Sequence, residues 1–210
     1  MPSANETGRV IEGVPKLAWG GLDTYTDDLM VTSALRVCLD QIGERHTKAF
    51  LAGTSGAAFE TGWAAGTVHS GAGGAILAHP HHFEGGIENL AGAVGRECTI
   101  VLRSDRERLW DVAVRSIDAG RPVVASEWRV DHFVLLTGYD PGEMGFLGRR
   151  YAGRDDAPDE YVSIAPDELA FVIALGAELP RCSAREAALG ALTFAVESAR
   201  TGRNTIARGQ

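Results

Sequence analysis

The sequence contains no run of about 18 apolar residues, the length a bilayer-crossing helix requires, so no membrane-spanning segment is expected. Cysteine is scarce. Three thiols, Cys38, Cys98 and Cys182, are spread over 210 residues with no short spacing between them, which argues against a zinc knuckle, a CxxC redox pair or a disulfide framework. Positive charge is in deficit: Lys and Arg number 20 against 28 Asp and Glu, a formal net charge of −8, with a pI near 5.2. The summed field repels phosphate backbones and anionic lipid, so neither nucleic acid nor a membrane is expected as a partner. Residues 1–8 lack the basic and apolar stretches of a secretory signal, and a cytoplasmic location is the expectation.

What is present suffices for a core. With 45% hydrophobic and 23% charged residues, a chain of this length buries enough apolar surface to fold without cross-links. One domain over residues 1–210 is expected, with loose tails at 1–9 and 200–210, since no linker or internal repeat interrupts it.

Hydrophobic spacing then assigns the elements. Residues 10–21 read as an extended lead-in closed by Trp19, Gly20 and Gly21. Thr26, Asp27 and Asp28 offer capping oxygens, and Leu35, Cys38, Leu39 and Ile42 recur at helical spacing behind them. This predicts an amphipathic helix over 28–42, with Arg36, Asp40 and Gln41 toward solvent and Gly43 as its stop. Residues 48–74 mix small residues with Phe50, Leu51, Phe59 and Trp63, which suits a short helix and a tight loop with close backbone approach. The glycine-rich stretch 71–95 assigns no element.

Beyond Cys98 the run TIVLR reads as a strand, and 105–119 as a helix with Leu109, Ala113, Val114 and Ile117 on one face, ended by Gly120. Two apolar, β-branched runs, from Pro122 and from His132, read as neighbouring buried strands, with a turn at Pro141-Gly142. Further strands are expected over 145–152 and 161–164. Pro166 in a first turn, followed by Leu169, Val172 and Ile173, predicts a helix over 166–175. Ser183 and Glu186 form a capping box ahead of an Ala-rich helix over 184–199.

Two stretches carry a family resemblance: SALRVCLDQIG with TSGAAF behind it, and GRPVVA followed after a short gap by DHFVLLTGYDPG. Together they resemble the bacterial papain-like cysteine peptidase families related to bacteriocin-processing peptidases and to the N-terminal domain of butirosin biosynthesis protein H. The resemblance implies an α+β, papain-like fold, with an N-terminal helical part packed on a mostly antiparallel sheet. In such families the first helix carries a catalytic Cys at its N-terminus, where the helix dipole stabilises a thiolate. A His opens a later strand, and an Asp or Asn after the next strand orients it. The matching residues are His132 and Asp155, with Asp156 as the alternative orienter. At the nucleophile position stand Asp27, Asp28, Leu29 and Met30 instead, and Cys38 lies about ten residues further on, nearly three turns into the helix on its apolar face, as core packing.

Other constellations carry a plain reading beside a chemical one. Asp27 and Asp28 are helix caps, or else one carboxylate points where the thiolate would sit, opposite His132. His79, His81 and His82 near Glu84 and Glu88 match no established metal-ligand spacing and read as a solvated loop. Ser55 stands between glycines without the G-x-S-x-G elbow, so it suits the wall of a pocket better than a nucleophile. Gly71-Ala-Gly-Gly lacks the lysine of a phosphate cradle, and Cys182 reads as a loop thiol.

The resemblance implies two functions. One is an enzyme acting on a small-molecule amide, ester or thioester, by acyl transfer or hydrolysis, with His132 as base, Asp155 as orienter, Asp28 facing them and no Cys nucleophile. The other is a non-catalytic small-molecule-binding protein that uses the same cleft. In either, Trp19, Asp27, Ser55, Phe59, Trp63 and Glu127 are expected to line the pocket, with no cofactor and no metal.

Overall fold

The computed structural model of the chain describes residues 8–16, 30–56, 58, 61–64, 67–70, 84–127, 133–150 and 161–200. In chain order the elements are β1 (Arg9–Val10), α1 (Met30–Gln41), α2 (Lys48–Thr54), β2 (Thr61–Ala64), β3 (Thr67–Ser70), α3 (Glu84–Val94), β4 (Arg96–Leu102), α4 (Arg106–Asp118), β5 (Val123–Glu127), β6 (Phe133–Asp140), β7 (Gly145–Arg150), β8 (Val162–Ile164), a 3-10 turn at Pro166–Glu168, β9 (Leu169–Glu178) and α5 (Ala184–Arg200). Among the described residues the protein is thus mixed α/β, with five α-helices and an open antiparallel sheet. No helix among them is long and apolar enough to cross a membrane. The chain divides into two compact units, each discontinuous in sequence: Met1–Asp27, Ser33–Arg45 and Thr99–Gly176 make one, and Asp28–Thr32, His46–Cys98 and Ala177–Gln210 the other.

The first unit is built on the strand order β4-β9-β5-β6-β7-β8, with β1 pairing to β6. Every residue of β5 is buried, and so are seven of the eight in β6, which is why both read as unbroken apolar runs rather than alternating ones. They pair antiparallel, Val123 with Leu136 through Ser126 with Phe133. Beyond Leu136 that same strand takes β1, with Val10 against Gly138 and the Ile11 amide donating to the Thr137 carbonyl at 2.7 Å. A side chain at 138 would stand 2.6 Å from the Arg9 carbonyl oxygen, so glycine there lets β1 lie in place. Arg9, expected in a loose tail, is therefore part of the sheet.

Helix α4 follows the expected pattern. The Asp105 side chain accepts from the Arg108 amide at 3.3 Å, Leu109, Ala113, Val114 and Ile117 are buried, and the helix packs on β6, β5 and β1. Trp110 seats its indole 4.7 Å from the Phe146 ring and edge-on to Tyr139 at 6.1 Å. The Tyr139 hydroxyl donates to Asp118 at 2.8 Å. Burial first, then that hydrogen bond and the Asp118 charge, raise the phenol's pKa, while Arg9 opposes them.

Helix α1 is more enclosed than its amphipathic pattern implies. Leu35, Cys38 and Leu39 are buried as expected, but so are Thr32, Ser33 and Val37, and Arg36, Asp40 and Gln41 are only half exposed. It ends as foreseen, with Glu44 donating to Leu39 and Gly43 to Asp40 in a Schellman closure.

In the second unit α2, α3 and α5 pack together, and β2 pairs with β3 as a hairpin. Asn89 on α3 ties the three helices: its Nδ2 donates to the Thr54 carbonyl at the end of α2 and, at 3.1 Å, to the Ala187 carbonyl of α5. The capping box holds, with the Ser183 amide donating to Glu186 at 2.8 Å and the Glu186 amide to Ser183 Oγ at 3.2 Å. The hairpin stands in the stretch 48–74 where a short helix and a tight loop were expected, and α3 was not legible in the glycine-rich stretch 71–95.

One expectation is overturned. The helix over 166–175 is a 3-10 turn followed by strand β9, whose residues from Phe171 to Leu175 are buried between β4 and β5. Leu169, Val172 and Ile173 fit a helical spacing only because a strand covered on both faces is apolar at every position, which satisfies any period.

Candidate functional site

The expected site residues fall in three groups. Trp19, Asp27, Asp28, Phe59, His132, Asp155 and Asp156 lie outside the described residues, as does the histidine run 79–82. Ser55 and Trp63 belong to the second unit, and Glu127 to the first.

Ser55 follows α2 and is 5% exposed. Its hydroxyl donates back to the Ala52 carbonyl at 3.2 Å and its amide to Leu51 at 3.0 Å, so it closes the helix end. Trp63 sits in β2, across from Val68 of β3. Glu127 is different in kind. It ends β5 in the first unit, is 6% exposed, and lies where the register with β9 shifts between Ser126 and Glu127, so that it faces Leu169. A bulge at a strand end re-aims a side chain and commonly accompanies a site. A carboxylate so deep is held in polar or cationic company, because burying it uncompensated costs several kcal/mol. The adjoining pair, Ser126 with Phe133, brings the start of β6 beside it. Phe133 follows His132 in the sequence.

Two of the three thiols, Cys38 and Cys98, are poorly suited to nucleophilic work. Burial drives the Cys38 pKa far upward. Cys98 is pushed up to about 12, by burial first and then by the charge of Glu88. Both stay protonated at neutral pH. Among the described residues no three of His, Cys, Asp and Glu converge as a metal site.

A concavity in the first unit was not foreseen. Arg106, Glu107, Trp110 and Asp111 of α4, Met144 of the β6–β7 turn, and Pro166 and Asp167 of the 3-10 turn line an open groove of about 480 Å³. Reading α4 only for its buried face passed over Trp110. The signal was an aromatic residue three positions after Glu107 and directly before Asp111, on the side left over from the core stripe. No protein-family model, curated protein or solved structure matches the chain.

Proposed function

We propose that the chain is an acyl-processing enzyme of papain-like architecture, acting on a small-molecule amide, ester or thioester. The observation that carries this reading is Glu127, a buried carboxylate at the bulged end of β5, one step beyond the Ser126–Phe133 pair at which β6 starts. His132 precedes Phe133 in the sequence, and an imidazole is the kind of group such a carboxylate favours, since negative charge nearby stabilises the imidazolium. In this reading His132 takes the proton of an attacking amine, hydroxyl or water as the new bond forms at the acyl carbon. It returns that proton to the departing amine, alkoxide or thiolate as the old bond breaks. Asp155 fixes the imidazole tautomer, and Glu127 favours its charged form. The raised pKa values of Cys38 and Cys98 support a direct transfer with no thiol intermediate.

The test is turnover by the full chain on a panel of activated esters, aryl amides and acyl thioesters, the last with an amine acceptor. Activity is expected to fall about 100-fold or more in His132→Ala and to survive alkylation of all three cysteines. Turnover untouched by His132→Ala, or abolished by alkylation, sinks the proposal. Met30, opening α1 where the peptidases carry cysteine, favours a second reading in which the same cleft only binds. A thermal shift on ligand addition without turnover of that ligand selects it.

A further inference from the structure

The groove on α4 has a definite chemistry of its own. Trp110 lines it, half-buried, with its indole packed against Phe146 and Tyr139, which hold the side chain in place. One wall is Met144, 56% exposed, in a turn where it adopts φ 49°. The rim carries three carboxylates, Glu107, Asp111 and Asp167, against one guanidinium, Arg106. All four are exposed, and among the described residues none has an ion-pair or side-chain hydrogen-bond partner. Glu107 stands in the first turn of α4, where its charge complements the helix dipole. Asp111 and Asp167 lie outside that turn, and among the described residues neither makes an ion pair.

We propose that this groove binds a small alkylated ammonium cation, seated on Trp110 beside Met144 and ringed by Glu107, Asp111 and Asp167. A cation over an indole face gains from the ring quadrupole, tryptophan being the best of the aromatic platforms. An alkylated nitrogen suits this lining better than a primary amine. It needs no hydrogen-bond acceptor held at close range, its methyl groups pack on the indole, the thioether and Pro166, and the exposed carboxylates act on it through space. The volume, about 480 Å³, falls in the range of small-molecule sites, roughly 300–1,000 Å³. Among the described residues the lining comes from one helix and two turns, and no strand residue contributes to it.

Isothermal titration calorimetry on the full chain tests this, with choline as the cation and 3,3-dimethylbutan-1-ol as its uncharged isostere. Choline is expected to bind about tenfold or more tighter than the alcohol, since only the charge distinguishes them. The double variant Glu107→Gln/Asp111→Asn should weaken choline about fivefold. Trp110→Leu should abolish choline binding, while Trp110→Phe retains a weaker site. Glu107 and Asp111 are exposed, so the double variant keeps the fold, verified by its unfolding midpoint, even where Trp110→Leu does not. His132→Ala should leave choline affinity unchanged. Equal affinity for the isostere, no heat with choline, an unmoved double variant, or loss in His132→Ala each overturns the assignment.

Discussion

Replacing Gly190 by alanine is expected to destabilise the protein, although alanine is the better helix former. On propensity alone, Gly→Ala inside a helix stabilises by about 1 kcal/mol. At this position a β-carbon would overlap the Asn89 side-chain oxygen and stand 2.8 Å from its Cγ. Asn89 must then withdraw, and with it go the donations to the Thr54 and Ala187 carbonyls. Each bond contributes about 1 kcal/mol net, and a half-buried group left unpaired costs roughly 1–3 kcal/mol more. The loss outweighs the propensity gain, for a net destabilisation of about 2–4 kcal/mol. In an Asn89→Ala background nothing remains to be displaced, so there Gly190→Ala should stabilise by about 1 kcal/mol. Urea unfolding of the four proteins, followed by far-UV circular dichroism, closes the double-mutant cycle. An effect of the same sign in both backgrounds, or a wild-type background in which alanine stabilises, would refute the role given to Asn89.

Two further outcomes follow from titrating groups. The Tyr139 phenol has a raised pKa in the folded state, so its contribution is complete below the ordinary tyrosine value of 10.0 and is lost as pH rises through the folded value. Tyr139→Phe should cost about 1 kcal/mol at neutral pH and flatten the alkaline decline of stability above that ordinary value; a decline of unchanged steepness counts against the Tyr139–Asp118 bond. Ser183→Ala should cost about 1 kcal/mol at neutral pH through loss of the α5 cap. Hydrogen bonds from Ser183 lower the Glu186 pKa, so that part of the stability is present above the ordinary glutamate value of 4.5 and lost as pH falls through the folded value. The variant's acid limb should therefore be shallower than wild type, and identical limbs would dissolve the capping box.

The elements legible in the sequence were those whose signal is local. Asp105 and Gly120 bracket α4, Ser183 and Glu186 open α5, and the β-branched runs of β5 and β6 announce buried strands, because caps and turns act within a few residues of themselves. α3 was missed since Gly85, Gly86 and Gly92 suppress helix propensity, and packing against α2 and α5 overrides them. The site was less legible than the fold. Glu127 was expected to line a pocket, but nothing near it in the chain states that it is buried or that its strand is bulged.

Order along the chain, the deficit of positive charge, the stop of α1, both ends of α4 and the start of α5 were determined by the sequence itself, since each depends on neighbours a few positions away. Tertiary structure alone decided that residues 169–178 pair as a strand between β4 and β5, that Glu127 ends its own strand out of water, and that Trp110, Met144 and Asp167 share a groove. Those three facts arise from contacts between residues far apart in sequence. A period, a cap or a composition cannot encode which distant surface a residue will meet.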